Sequence, residues 1–359
     1  MRDVWGIHDF VPDYSKARSP LDLQVKMANG TMPGGPSGCG YYRITAPLDA
    51  LREQGWDTAY APGEPPDPSS SKVIVAQRMD KHEALPYWRR WRAHSRLVYE
   101  IDDDVFRVDI TNWMAYPSYS KGDVRDAVEH SAQVADMVTV TTEPLAEIMR
   151  PFSGNVRVIP NCIPDGVLEI ERPRQPKVVV GWGGGASHAR DIAMIAPTLR
   201  HVMEKHRKRA ELNIMGTNYL PTVWDCRPED IRREHGRFTP WVPVSPSLAY
   251  YKAVDCDIAL APLTGTLFDQ SKSNIKALEA FGLGIPVLAS DVEPYRGTVI
   301  DGFNGYLCRR KGDWGRRLEE LICDDAAREE MGRNARETAR AHTMSEGVKN
   351  WISAYSELL

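Results

Sequence analysis

This sequence has no uninterrupted apolar run long enough to cross a bilayer. Its beginning, Met1-Arg-Asp-Val-Trp-Gly-Ile-His8, lacks the apolar centre of a secretory signal. It has no Cys-x-x-Cys pair. The six cysteines, at 39, 162, 226, 256, 308 and 323, are scattered, which argues against a zinc site or a disulfide framework. The expectation is a cytoplasmic protein without a transmembrane segment, its cysteines serving as small buried hydrophobes. There is no basic excess either: a formal net charge of −4 leaves no global field to attract nucleic acid. Two common nucleotide signatures are also missing. The loop Gly34-Gly35-Pro36-Ser37-Gly38-Cys39-Gly40 does not fit G-x-x-x-x-G-K-[ST], and Gly181-Trp-Gly183-Gly184-Gly185 does not complete G-x-G-x-x-G. P-loop chemistry is excluded and NAD binding disfavoured.

What is present is a regular alternation. Short apolar runs at 4–7, 58–61, 73–76, 97–101, 137–140 and 156–159 alternate with helical patterns such as 41–54 and 124–135. The second half repeats the scheme, with runs at 177–182, 212–215, 258–261, 287–289 and 306–308. Continuous apolar runs between helices predict buried parallel strands, hence an α/β protein of two doubly wound, Rossmann-like units. A length of 359 residues suits two domains. The Pro-flanked, charged segment 164–176 reads as the hinge, and 62–71 as a surface turn. The expected division is 1–165, 176–340 and a terminal helix within 343–359. Helices are expected at 313–322, 326–341 and 344–358, the last opened by a capping box, Thr343-Met-Ser-Glu346.

Several patterns could carry chemistry. The stretch from Ser271 to Ser290 reads as polar loop, helix and buried strand. Its loop offers Ser271, Lys272, Ser273 and Asn274, and its helix carries Lys276 and one acid, Glu279, among apolar neighbours. A helix N-terminus attracts anions because its first N–H groups lack partners. An acid further along can accept the two hydroxyls of a ribose, so the whole could cradle a nucleoside diphosphate. It also reads as an ordinary helix–strand unit with a solvated loop. The glycines Gly183 and Gly184 lie where a strand turns into a helix opened by His188 and Arg190, and Gly216 follows another strand. In doubly wound sheets ligands sit at such carboxyl ends. The Gly34–Gly40 loop either faces a ligand or is a surface loop. Asp102-Asp103-Asp104 follows a strand; such adjacent carboxylates need a cation, hydrogen bonds or raised pKa values. The acids serve either a cleft or loop capping. Trp88-Arg-Arg-Trp-Arg-Ala-His-Ser-Arg96 could stack on nucleic acid or an acidic glycan, but fits an amphipathic helix with buried tryptophans better.

The segment Leu278-Glu279-Ala280, followed by Gly284-Ile-Pro286-Val287, resembles the donor site of the GT-B glycosyltransferases, in particular the GT4-type enzymes. The likeness is specific in the C-terminal half and weak in the N-terminal half. It implies a GT-B fold: two Rossmann-like domains facing a cleft, acceptor side first and donor side second, with a final helix crossing back. Glu279 matches the acid that binds the ribose. The second acid, usually eight positions earlier, is replaced by Ser271; Asp269, Ser271 or Lys272 could stand in for it. The resemblance further places Gly183, Gly184, His188 and Arg190 at the donor phosphates, with Lys272 or Lys276. Gly216 and residues 241–243 fall near the base, and Gly38 and Gly40 face the cleft. Asp102 or Asp103 lies near the acceptor hydroxyl. The implied activity is transfer of a sugar from a UDP- or GDP-sugar to an acceptor hydroxyl. It proceeds with retention of configuration, without a metal and without any other cofactor. The acceptor stays open among protein, lipid carrier, small molecule and modified DNA. A sugar-nucleotide 2-epimerase of the same fold, or a non-catalytic sugar-nucleotide or glycan-binding protein, is the alternative.

Overall fold

Aliphatic and β-branched runs between amphipathic helices form parallel strands buried on both faces, because each crossover lays a helix over the sheet. The computed structural model describes residues 1–8, 37–61, 67–82, 85–173 and 175–359. Gly34 and Gly35 of the first glycine loop, and residues 62–66 of the proposed surface turn, lie outside them. The first sheet comprises β1 (Arg2–Ile7), β2 (Thr58–Ala61), β3 (Ser71–Gln77), β4 (Arg96–Ile101), β5 (Met137–Val140) and β6 (Val156–Val158). Their order is β2-β1-β3-β4-β5-β6, all parallel. The second sheet comprises β7 (Val178–Gly184), β8 (Ala210–Gly216), β9 (Arg237–Pro240), β10 (Ile258–Ala261), β11 (Val287–Ser290) and β12 (Gly305–Cys308), in the order β12-β11-β10-β7-β8-β9. Strand order reverses between β1 and β3 and between β7 and β10. Such switch points open a crevice at the carboxyl ends of the strands.

Strand β9 had no signature in the sequence. It is a short edge strand with alternating burial, Phe238 exposed and Pro240 closing it, and an edge tolerates both. The helix Leu85–Arg92 takes the packing role: Trp88 and Trp91 are fully buried, while Arg89, Arg90 and Arg92 face outward. All six cysteines are free. No helix among the described residues is long and apolar enough to cross a membrane.

The chain enters the second half and later returns. Ile163 and Thr343 pair in a parallel bridge, with Ile163 N–H donating to His342 O (2.9 Å) and Met344 N–H to Ile163 O (2.8 Å). The outgoing and returning segments are therefore hydrogen-bonded to each other. The segment read as a hinge is held firmly. Val167 is buried, Arg336 donates to the carbonyls of Leu168 and Ile170, and Arg172 pairs with Asp257 at 2.9 Å. Gly282 packs closely against this segment: a Cβ there would lie 2.5 Å from Ile163 Cδ1 and 2.8 Å from Val167 Cγ1, so either side chain would have to shift. The last helix, Met344–Ser356, packs on the helix Ala46–Glu53 of the first half. Its capping box does not form: the Thr343 hydroxyl donates back to Arg340 O instead.

One buried cation pins this junction. Arg43, on a π-helical turn (Tyr41–Thr45), is 1% exposed. Its Nε and Nη2 donate to the two oxygens of Glu100 at 2.7 and 3.1 Å. Its Nη1 donates to Ile159 O (2.6 Å) and Asn161 Oδ1 (3.0 Å), and Trp351 of the last helix lies against the guanidinium. Burial pushes the Glu100 carboxyl above the ordinary carboxylate range even with Arg43 beside it. Arg43→Ala would leave that acid buried without its countercharge, at an expected cost of about 3–5 kcal/mol. Adding Glu100→Gln should recover part of the loss. Urea unfolding at neutral pH measures both, and a single variant as stable as the parent would contradict the pin.

Candidate active site in the interdomain cleft

The glycines at the ends of β7 and β8 form the floor of the second half's crevice. Gly216 adopts φ +92°, and a Cβ there would lie 2.4 Å from the Gly184 carbonyl oxygen. Only glycine allows this approach, which Thr217 N–H seals by donating to Gly184 O at 2.9 Å. An open pocket lies against this floor, lined by Gly183, Met215, Tyr250, Lys276 and Glu279 among others. A Cβ on Gly38, in the other half, would meet nothing within 4 Å among the described residues.

The loop and helix that follow β10 supply the polar groups. No side chain caps the helix Ile275–Gly282, because Asn274 turns its amide to Thr298 Oγ1 at 2.8 Å. Ser273 Oγ accepts from Asn161 of the first half at 2.9 Å. The Ser271 hydroxyl donates to Phe268 O within its own turn, while its backbone carbonyl accepts from Thr142 across the cleft. The Asp269 carboxylate accepts through Oδ2 from Thr264 Oγ1 and from Thr266 N–H and Oγ1, closing a capping box. Glu279 is 7% exposed. Its Oε1 accepts from Tyr42 of the first half (2.6 Å) and its Oε2 from Tyr250 (2.9 Å), with Lys276 Nζ at 3.5 Å.

Opposite stand the acids after β4. Arg78 donates through Nε to Asp102 (2.7 Å) and through Nη2 to Asp103 (2.5 Å) and to Cys39 Sγ (3.4 Å). Asp103 also reaches Lys272 Nζ at 3.5 Å, so one charge network bridges the cleft. Burial pushes Asp102 upward, but the Arg78 charge, hydrogen bonds from Cys39 and Arg78 and the Arg43 charge together outweigh it, leaving the carboxyl below its ordinary range. Burial pushes the Cys39 thiol well up, which keeps it protonated and unreactive. Cys39, Asp102 and Asp103 have potential ligand atoms within 4.8 Å of one another. The Arg78 guanidinium already pairs with both carboxylates, so a cation would compete with it. Asp104 caps its own loop through Phe106 N–H. Arg78 escaped the sequence reading. It sits at φ +50°, uncommon for a non-glycine residue and often found near functional sites, but a dihedral leaves no mark in a sequence.

Arg190 also spans the cleft, donating to Asp109 (3.1 Å) and Thr111 (2.8 Å) of the first half. His188 pairs through Nδ1 with Asp191 at 2.8 Å, and Asp191 in turn accepts from Thr264 N–H. Burial lowers the His188 pKa from its ordinary 6.5, with Lys272 and Lys276 adding to the effect against Asp191. The ring is therefore neutral near pH 7 and is not a cation for phosphate. The structure thus brings Asp103, Lys272, Lys276, His188 and Glu279 to one cleft, ties Arg190 to the opposite wall, and turns the Ser271 hydroxyl away.

Two parallel Rossmann-like halves, crossover segments paired with each other and a final helix returning to the first half make this a GT-B fold. Solved structures agree. Sucrose-phosphate synthase of Thermosynechococcus elongatus superposes with a TM-score of 0.62 at 15% identity, covering 99% of each chain. Anabaena HepE, in complex with UDP and glucose, does so with a TM-score of 0.61 at 14% identity, covering all of both chains. In sequence, residues 233–338 match the family described as glycosyl transferases group 1, so the second half carries that family's segment. The D-inositol 3-phosphate glycosyltransferase of Gordonia bronchialis is 36% identical over 85 residues, 23% of this chain and 19% of that protein. That of Stackebrandtia nassauensis is 29% identical over 106 residues, 29% of this chain and 23% of that one. The chain thus spans about a fifth of the length of the curated relatives it matches.

Because His188 has a lowered folded pKa, the unfolded chain binds the proton more tightly. The His188 contribution to stability is present above pH 6.5 and is lost as pH falls below it. His188→Asn should flatten the fall in melting temperature between about pH 7 and 5, as read by thermal denaturation. A variant as acid-sensitive as the parent would show that the histidine is not held neutral.

Proposed function

We propose that this protein is a glycosyltransferase that moves a sugar from a nucleotide donor, a UDP- or GDP-sugar, to an acceptor hydroxyl with retention of configuration. The observation that carries the proposal is the open cavity at the switch point of the second sheet. It is lined by Glu279 and Lys276, beside the N-terminus of the helix Ile275–Gly282, which no side chain caps. In this reading the second domain, residues 176–340, takes the donor, and the first, residues 1–165, takes the acceptor. Glu279 accepts from the ribose hydroxyls. The glycines at 183, 184 and 216 let the donor approach the backbone.

As the sugar–phosphate bond opens, charge gathers on the leaving diphosphate. The free N–H groups at the helix start, with Lys272 and Lys276, stabilise that charge more in the transition state than before it. Lys272 and Arg190 are engaged by Asp103 and by Asp109. On donor binding they exchange these carboxylates for phosphate oxygens. Their charge is then already in place, which reduces reorganisation. Burial lowers the Lys272 pKa, but Asp103, Asp269 and Asp191 raise it further, so the ammonium persists across the physiological range. Asp103, released, lies where an acceptor hydroxyl would enter. Gly38 and Gly40 line the first domain's side of the cleft.

Glu279→Gln should leave the fold intact and weaken nucleoside diphosphate binding by about 1.5–3 kcal/mol, the worth of a charge-assisted hydrogen bond. Unchanged affinity by calorimetry would remove the ribose assignment. Lys272→Ala and Arg190→Ala should each lower donor turnover more than thermal stability; if neither does, the phosphates sit elsewhere. Chelation by EDTA should leave turnover largely intact. Complete loss, restored by Mn²⁺ or Mg²⁺, would instead give Asp102 and Asp103 a metal to hold.

A further inference from the structure

The acid assigned to the ribose is not held by its own domain alone. Tyr42 belongs to the π-helical turn at the start of the first domain's cleft helix, yet its hydroxyl lies 2.6 Å from Glu279 Oε1. It also lies 2.7 Å from the hydroxyl of Tyr251. A phenol has one proton, and a carboxylate only accepts. Tyr42 therefore donates to Glu279, and Tyr251 must donate to Tyr42. Tyr250 donates to the other oxygen at 2.9 Å. All three phenols are at least 95% buried. Burial first, and Glu279 next, push the Tyr42 hydroxyl well above its ordinary pKa, so it stays a donor throughout the working range.

A carboxylate offers about four lone-pair sites. Two are taken by Tyr42 and Tyr250, one on each oxygen, which fixes the plane of the group; one site per oxygen is left, that on Oε2 met only by the long 3.5 Å contact from Lys276 Nζ. Two such sites in a fixed plane suit a vicinal diol, which presents two O–H donors side by side. We propose that Tyr42 is a positioning residue for the ribose of the donor nucleotide, supplied across the cleft by the first domain and backed by Tyr251. The inference rests on the reading of Glu279 as the ribose acid. It goes beyond that reading because it makes the donor site shared between the domains: the acid has its binding geometry only when the two halves meet at Tyr42. The position of Tyr42 is in turn set by its neighbour Arg43, whose guanidinium is held at Glu100, Ile159 and Asn161.

The test uses the full chain and two probes, UDP and 2′-deoxy-UDP, or the corresponding guanosine pair if only GDP raises the melting temperature. The parent should bind the ribonucleotide more tightly than the deoxynucleotide. Tyr42→Phe should weaken binding of the ribonucleotide roughly ten-fold and of the deoxynucleotide much less, so that part of the discrimination disappears. Glu279→Gln should abolish the discrimination. If Glu279→Gln does so while Tyr42→Phe retains full affinity and discrimination, the role of Tyr42 is overturned and the ribose reading stands. Equal weakening of both probes by Tyr42→Phe would make it a merely structural residue, which also overturns the proposal. Discrimination that survives Glu279→Gln, or no binding of either diphosphate by the parent, removes the ribose reading and the inference with it. Should Tyr42→Phe fail to fold, Tyr251→Phe removes the phenol that orients Tyr42, and the same pair of affinities decides.

Discussion

The buried guanidinium of Arg43 is the fixed point of this molecule. Taking it out of water is costly, and that cost is offset because each of its three nitrogens finds a partner: two oxygens of Glu100, the Ile159 carbonyl and the Asn161 amide oxygen. Those partners come from β4 and from the segment leaving β6, and Trp351 of the last helix closes over the charge. One side chain therefore sets the first sheet, the departure of the chain toward the second domain and the docking of its returning helix. Thr139 adds a further bond to Glu100 from β5. Such a network tolerates few arrangements, which favours one junction geometry over many.

The cleft inherits that geometry. Tyr42 is carried next to Arg43 and meets Glu279; Asn161, one of the guanidinium's acceptors, donates to Ser273 at the head of the helix Ile275–Gly282. Further out, Asp103 meets Lys272, and Asp109 meets Arg190. The inner contacts are buried and neutral or singly charged, while the outer ones are more exposed ion pairs. Exposed pairs are individually weak. They can be exchanged for a phosphate at small cost, whereas the inner contacts hold the walls in register. This gradient from rigid interior to exchangeable rim suits a site that must admit and release a charged ligand. An apolar cluster runs unbroken from the helix Ala46–Glu53 through Trp351 and Tyr355 to Phe281 and Val287, so the two domains share core at their junction.

The carboxylates after β4 illustrate how neighbours decide a residue's chemistry. Three consecutive acids repel one another in isolation. Here Arg78 spans two of them and Asp104 turns back to cap its own loop. Similarly, two acids and a histidine near the donor loop are spent on one another and on the backbone: Asp191 orients His188 and accepts from Thr264, and Asp269 caps Thr266. Among the described residues no side chain caps the helix start at Ile275, and Lys272 meets Asp103 only at 3.5 Å.

The sequence by itself determined the alternation of strand and helix, hence two doubly wound halves, because a strand buried on both faces must be apolar throughout and a covering helix must be amphipathic. It also determined where the helix carrying Glu279 lies, since Leu278-Glu279-Ala280 before Gly284 and Pro286 is a local pattern. Edge strand β9, with its half-exposed side chains, left no such pattern. Three matters were decided only by the tertiary structure. Tyr42 and Glu279 are far apart in the chain, and nothing in either neighbourhood announces the other. Arg78 acquires its role from a left-handed dihedral and two acids that follow the next strand. The Ser271 hydroxyl, which the spacing offered as a stand-in for an acid, turns inward to Phe268 because the preceding short helix ends there. Periodicity and local motif record what a segment buries; which side chains confront one another across a cleft depends on how two finished sheets are docked, and here that docking follows from a buried charge that had to be satisfied.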